Sequence, residues 1–356
     1  MFKVGPDGSA ITYHIPISPF VPLQHNKIDV STVNRLANFG LRFAMEHGWC
    51  HHRVEGPAAS HVSEAVDEGY VDHGEDVTVF YAGVDAELID DFPQFDGEIT
   101  PASMFFWGQF WVSFVGTSSY GIYGELYHYE TDDEGKKVPF GVFKLTGVTV
   151  SKTLRKPVPI PKERANVLNE TMQRHQKKTS LPKAERINVA EALRYAALFT
   201  DASCAHAVER LPTHASVAPL TVAYRREFKL RQSDIDFNRH VNQMAMIQFV
   251  INAFRSALED QTTVFPRLLD AGVEPIIGDL LLRRLRIDYI REIPLDHIGS
   301  TVTLFFHDDM ARDTLVSSTK GNRQNKVVPL WFIAHGVPKN GGSPFIAVVG
   351  YLCVSC

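Results

Sequence analysis

The sequence predicts an α+β protein whose plan occurs twice, each unit one long helix against an antiparallel sheet. Three observations carry that prediction. The chain has 356 residues, room for two domains of ordinary size and a connector. Both halves run in the same order, a short strand, a long helix, then long strands joined by hairpin signals. Hydrophobic residues at 44% and charged residues at 22% match globular composition, so each half can bury a core of its own.

In the first half, residues 10–17 read as a strand, and Asp29 or Ser31 then caps a helix with Val33, Leu36, Ala37, Gly40, Leu41 and Ala44 on one face. Strands follow at 76–81, 104–114, 121–129 and 141–150, with an acidic turn at 132–135. The strand 104–114 is apolar on both faces, since Phe106, Phe110, Val112 and Phe114 alternate with Phe105, Trp107 and Trp111. Residues 162–218 form a polar connector with a short helix over 189–199. Its basic residues Arg174, Lys177, Lys178, Lys183 and Arg186 suit a solvated surface or, less simply, an anionic partner. The second half opens with a strand at 220–230 and a helix at 241–258, apolar at Ala245, Phe249, Val250, Ala253, Phe254 and Ala257. Strands at 281–290, 301–306, 330–336 and 345–353 complete it, with a Gly-rich turn at 339–343 before the last.

A formal charge of −5 argues against a nucleic-acid partner, because neutralising phosphates needs a surplus of Lys and Arg on one surface. Cys50, Cys204, Cys353 and Cys356 have no framework spacing and read as free thiols of a reducing compartment. The start has no charged n-region followed by an apolar h-region, and no stretch of about 18 apolar residues follows, so the expectation is an intracellular protein, cytoplasmic or organellar, without a transmembrane segment. The last four residues match a prenylation box in form but continue an apolar strand. His47, Cys50, His51 and His52 lack a fixed ligand spacing and sit where histidines suit a helix C-terminus, so no metal is implied.

The densest polar group lies where the strand 220–230 gives way to the helix. Over 233–243 the run SDIDFNRHVNQ brings Ser233, Asp234, Asp236, Asn238, His240, Asn242 and Gln243 to one helix N-terminus. A carboxylate, a histidine, an amide and free helix N–H groups are what thioester hydrolysis requires. The competing reading is plain capping, the usual work of Asp, Asn and Ser before a helix.

That run resembles the D-x-D-x-N-x-H-V-N-N segment of plant acyl-ACP thioesterases. Residues 285–293, LRIDYIREI, are similar to that family's later segment ending Tyr-Arg-Arg-Glu-Cys, and 148–161, VTVSKTLRKPVPIP, to the strand that closes its first domain. The resemblance implies a tandem, or double, hotdog fold, a sheet wrapping a long central helix twice: an N-terminal hotdog at 1–161 that shapes the acyl cavity, a connector at 162–218, and a C-terminal hotdog at 219–356 carrying the catalytic segment. It implies a hydrolase of fatty acid and lipid metabolism that cleaves acyl-ACP or acyl-CoA to free acid and thiol. Asp236 is then general base or nucleophile, Asn238 an orienting amide, His240 the proton carrier and Glu292 a second carboxylate. Asn242, Gln243, Met246, Phe106 and Phe110 are expected to meet the substrate, the two phenylalanines from a strand whose second face suits an acyl tunnel or a domain interface. No cofactor is implied; an acyl carrier protein is the expected partner, and pairing of two chains stays open.

Strand alternation puts Glu292 with Arg286 and Asp288, away from Leu285, Ile287 and Tyr289, so its part in a site requires a bulge. Ile293 replaces the family's Cys, Gln243 its second Asn and Met246 its aromatic residue. The equivalent place in the first half, 24–29, lacks the D-x-N-x-H spacing. Two rivals remain: a non-catalytic acyl- or carrier-binding protein, and a hotdog hydratase, whose Asp and His stand five apart where Asp236 and His240 stand four apart.

Overall fold

The computed structural model describes residues 1–17, 28–50, 76–89, 105–129, 137–176, 181–182, 187, 222–236, 240–260, 264–270, 281–293, 301–307, 328–337 and 345–355. The chain divides into unit 1, Met1–Ala184, and unit 2, Glu185–Cys356.

Unit 1 contains β1 (Phe2–Val4), β2 (Ala10–Pro16), α1 (Val30–Glu46), β3 (Val77–Leu88), β4 (Phe105–Val115), β5 (Ser119–Tyr129), β6 (Lys137–Ser151) and α2 (Lys162–Gln176). Its strands are antiparallel in the order β1-β2-β4-β5-β6-β3. Asp29 caps α1 by accepting the Ser31 and Thr32 N–H groups at 2.9 and 3.2 Å, and the face expected from the spacing is the buried one. That face packs on β2 through β6. Gly40 allows the close approach: a Cβ there would lie 2.9 Å from Thr12 Oγ1 and 3.1 Å from the Phe110 ring.

β3 runs on well past the expected 76–81, because Ala82, Gly83 and Asp85 are poor strand formers whose ladder with β6 overrides their propensity. The two faces of β4 have separate explanations. Phe106 and Phe110 are fully buried on the α1 side, the Phe110 ring lying over Gly40, Gly108 and Gly124. On the other side Trp107 stacks between Tyr13 and Tyr127, and Trp111 donates its indole N–H to Asp7 at 2.9 Å. That side of β4 is covered by α2, a helix occupying residues read from sequence as polar connector. Its Leu168 is buried, and Arg164 is buried with a guanidinium N–H donating to the Tyr120 hydroxyl at 3.3 Å. The helix expected at 189–199 and the turns at 132–135 and 339–343 lie outside the described residues, as do His51, His52, Cys204 and Cys356.

Unit 2 contains β7 (Val222–Lys229), a single 3-10 turn (Gln232–Asp234), α3 (Gln243–Asp260), α4 (Pro266–Asp270), β8 (Leu281–Tyr289), β9 (Thr301–His307), β10 (Val328–Val337) and β11 (Phe345–Ser355). Its strands are antiparallel in the order β8-β11-β10-β9-β7. A row of rings holds α3 to the sheet: Phe249 stacks on Phe228 at 4.9 Å, and Phe254 meets Phe265 and Phe306, which in turn meets Phe332. The register Phe332, Gly350, Ile287 puts Ile287 and Tyr289 on the helix side and Arg286 and Asp288 on the other. There Arg286 and Asp288 form a buried ion pair, and Asp288 also accepts the Ile187 N–H at 2.6 Å. Cys353 is buried in β11, which runs to Ser355, so the described part of the C-terminal run is strand.

The units share one topology. The order β2-β4-β5-β6-β3 with α1 after β2 matches β7-β9-β10-β11-β8 with α3 after β7, position for position. Ladder ends refine the correspondence. Ile89 N–H bonds to Phe140 O and Ile290 N–H to Ala347 O, which equates Leu88 with Tyr289 and Asp85 with Arg286.

Candidate active site

The site is built in unit 2 by a chain segment that doubles back before entering α3. After β7, Arg231 N–H donates to the Asp234 carboxylate at 2.8 Å, closing the 3-10 turn. Asp236 and His240 then tie a five-residue loop from both ends: Asp236 N–H donates to His240 O at 2.8 Å, and His240 N–H donates to Asp236 Oδ1 at 3.1 Å. Ile235 and Val241, which flank this closure, form a bridge, and Asn242 N–H returns to Asp234 O at 2.7 Å. The helix therefore starts at Gln243, two residues after the expected 241. Asn242 is its cap, accepting the Met244 N–H at 2.7 Å through its side chain and the Met246 N–H at 3.0 Å through its carbonyl.

Glu292 reaches the same place through an irregularity. Ile290 N–H and Arg291 N–H both donate to Ala347 O, at 2.8 and 3.2 Å, two residues facing one on the partner strand. That bulge breaks the alternation that would have kept Glu292 with Arg286 and Asp288. The following residue is then pinned by Val241 N–H donating to Ile293 O at 2.9 Å. As a result Glu292 Oε2 lies 3.1 Å from His240 Nε2. His240 is almost wholly buried and the Glu292 side chain is 35% exposed, so the pair runs from the interior toward solvent.

The caps of the run are distinct from the residues that could do chemistry. Asp234 and Asn242 are caps, whereas the Asp236 carboxylate accepts the His240 backbone N–H and the His240 imidazole meets the Glu292 carboxylate. Such a set can activate a water, carry a proton and hold an imidazolium. Asn238 lies outside the described residues. Met246 is buried in the first turn of α3, and Gln243 is half-buried at its first position. Phe106 and Phe110 belong to the core of unit 1. Sequence reasoning did not place Tyr289 beside the site; its hydroxyl lies 3.5 Å from Gln243 O and its phenol is pushed by burial above its ordinary range. The period-2 pattern of β8 was the available signal, because it turns Tyr289 toward the helix. Among the described residues no group of three His, Cys, Asp or Glu is arranged to hold a metal ion, and no helix is long and apolar enough to cross a membrane.

No family model matches the chain, and no curated protein matches it. Solved structures do. The chain is similar to the 12:0-ACP thioesterase from Umbellularia californica, with 11% identity, a TM-score of 0.53 and 98% of each chain covered. An acyl-ACP thioesterase from Bacteroides thetaiotaomicron VPI-5482 aligns over 98% of each chain with 14% identity and a TM-score of 0.49. The first likeness shows the fold, a mixed α and β architecture dominated by antiparallel sheet, and leaves the chemistry to be argued from the site.

Proposed function

We propose that the protein hydrolyses fatty acyl thioesters, carried on an acyl carrier protein or coenzyme A, to free acid and thiol. The observation that carries this reading is the convergence on one loop of Asp236, tied to the His240 backbone, and Glu292, 3.1 Å from the His240 imidazole. The name of the Umbellularia californica protein, and the resemblance of 233–243 and 285–293 to that family, support the same substrate class. We read the architecture as a tandem hotdog, with domains at 1–161 and 219–356 and a connector at 162–218; the equal strand order of the two units supports this.

In this reaction Asp236 takes a proton from water as the water oxygen bonds to the acyl carbon. The C=O pair moves onto oxygen and returns as the C–S bond breaks, and His240 delivers a proton to the departing thiolate. Glu292 favours the protonated imidazole that this delivery needs. Asn238 orients the water or the acyl group. The proton on Asp236 is exchanged back through solvent to His240, so no oxidant, cofactor or covalent intermediate is required. Asp236 as a direct nucleophile would give the same products and would be recognised by an acyl-enzyme burst.

Purified protein offered acyl-CoA and acyl-ACP of graded chain length, with thiol release as readout, tests the proposal. Turnover should occur and should fall by ~10³-fold or more in Asp236→Asn and His240→Ala. Turnover indifferent to both substitutions rejects the site; binding of acyl thioester with no turnover on any carrier favours an acyl-binding protein.

A further inference from the structure

We infer that the side-chain amide of Gln243 donates a hydrogen bond to the carbonyl oxygen of the scissile thioester, and that Tyr289 positions it. The inference rests on the thioesterase reading and names the group that meets the substrate's charge.

Gln243 is the first residue of α3, three residues after His240, and the start of that helix is pinned to the catalytic loop by Asn242 N–H bonding to Asp234 O. Its Nε2 is buried and has no hydrogen-bond partner among the described residues. A buried donor left without an acceptor costs ~1–3 kcal/mol, so an amide held there is suited to donate to a bound acceptor such as a substrate oxygen. Unit 1 shows that the fold itself does not ask for an amide. The position equivalent to Gln243, one past the helix cap, is Val30, and the position equivalent to Tyr289 is Leu88; both are buried and apolar. Unit 2 instead has an amide and a phenol, and the phenol holds the amide's own backbone carbonyl.

The chemistry of the neighbours defines what the amide would bind. Asp236 and Glu292 are carboxylates, which disfavour the negative charge that grows on the acyl oxygen as water adds. A donor facing that oxygen offsets the repulsion, and a neutral amide does so without pairing with either carboxylate as a cation would. Its protons stay on nitrogen throughout.

Two readouts on the full chain test this. In kinetics, Gln243→Met, close to isosteric and without donors, should lower kcat by ~10²-fold with KM changed by less than about threefold. Tyr289→Phe should cost about threefold to tenfold in kcat and add little on top of Gln243→Met, since both act on one hydrogen bond. In difference infrared spectroscopy, dodecanoyl-CoA carrying ¹³C at the carbonyl is bound to Asp236→Asn protein. Its carbonyl stretch should lie below that of the Asp236→Asn/Gln243→Met complex. A folded Gln243→Met with wild-type kcat overturns the inference, and so does a lowered kcat with an unmoved carbonyl band, which is what a purely structural role would give. Should Gln243→Met melt early, Gln243→Leu carries the same comparison. If the wild type turns over no thioester, hydrolysis is rejected separately, and the infrared arm still decides: a band moved by Gln243→Met upholds the donor, while an unmoved band or failure to bind overturns it.

Discussion

The starts of helices α1 and α3 occupy the same place in two units of the same topology and use their polar residues differently. At α1 the carboxylate is the cap: Asp29 accepts the N–H groups of Ser31 and Thr32 and the Ser31 hydroxyl. At α3 a neutral amide, Asn242, does the capping, and the carboxylate stands further back, at Asp236, where it accepts the His240 backbone N–H. The next position differs in kind as well, Val30 against Gln243, and so does the equivalent strand position, Leu88 against Tyr289. With an uncharged residue as the cap, the helix end is satisfied without using the acidic side chain, which on the proposed reading is left for chemistry.

The largest expected effect separates these two carboxylates. Asp236→Asn should lower kcat for acyl thioester hydrolysis by ~10³-fold or more. Asp29→Asn, which keeps a capping oxygen, should leave kcat within about twofold and cost no more than ~1 kcal/mol of stability. Thiol release and denaturant unfolding measure both. A loss of hydrolysis in Asp29→Asn to match that in Asp236→Asn would mean that the helix starts are not divided between capping and catalysis.

The next effect is sharper structurally than chemically. Equivalent positions on β3 and β8 carry opposite charges: Asp85 lies 3.5 Å from Lys144 of β6, and Arg286 pairs with Asp288 of its own strand. Both members of the unit 2 pair are buried, whereas Lys144 retains 16% exposure. Removing one member of a fully buried pair strands the other charge, so Arg286→Met should destabilise unit 2 by about 3–5 kcal/mol. Lys144→Met, with water within reach, should cost unit 1 about 1–2 kcal/mol. Amide exchange of β8 and β3 peptides reads each unit separately, and equal losses in the two would remove burial as the deciding variable.

How much of this was readable beforehand depends on the range of the interaction. The buried face of α1, the long strands and the polar run before α3 follow from local periodicity and residue type. α2 did not follow, because its side chains are mostly polar and, among the described ones, only Leu168 and Arg164 are buried. The starts of α3 and the ends of β3 were misjudged where a ladder or a cap overrode propensity. Within the candidate site, Asp236 and His240 were visible as residue types in a short run. Glu292 could be attached to them only by resemblance, since its approach to His240 depends on two N–H groups sharing Ala347 O, a choice made across the sheet. The buried amide of Gln243 has no signature in sequence at all, because burial of one atom is decided by residues distant along the chain.

The smallest expected effect is a difference in acid response between the units. Burial, aided by the charge of Arg225, lowers His335 in unit 2 from its ordinary 6.5 to about 4. Its neutral form is therefore favoured by folding, and the unfolded chain takes up the proton first as pH falls. Unit 2 should keep its full stability above about pH 6.5 and lose on the order of 1–3 kcal/mol as the pH drops toward 4. In unit 1, burial opposes the charge on Asp7, but hydrogen bonds from Ser9 and the Trp111 indole outweigh it and hold the carboxyl at about 2 against an ordinary 3.8. That contribution is intact above about pH 4 and fades only as the pH falls through 2. Between pH 6.5 and 4, then, amide protection in β9 and β10 should weaken while protection around the β1–β2 turn and β4 is not changed by Asp7. His335→Gln should flatten the response of unit 2 in that window and leave unit 1 untouched. If the variant lost protection along the same curve as the wild type, the acid sensitivity of unit 2 would have to come from a group other than the imidazole packed 5.0 Å from the Phe305 ring.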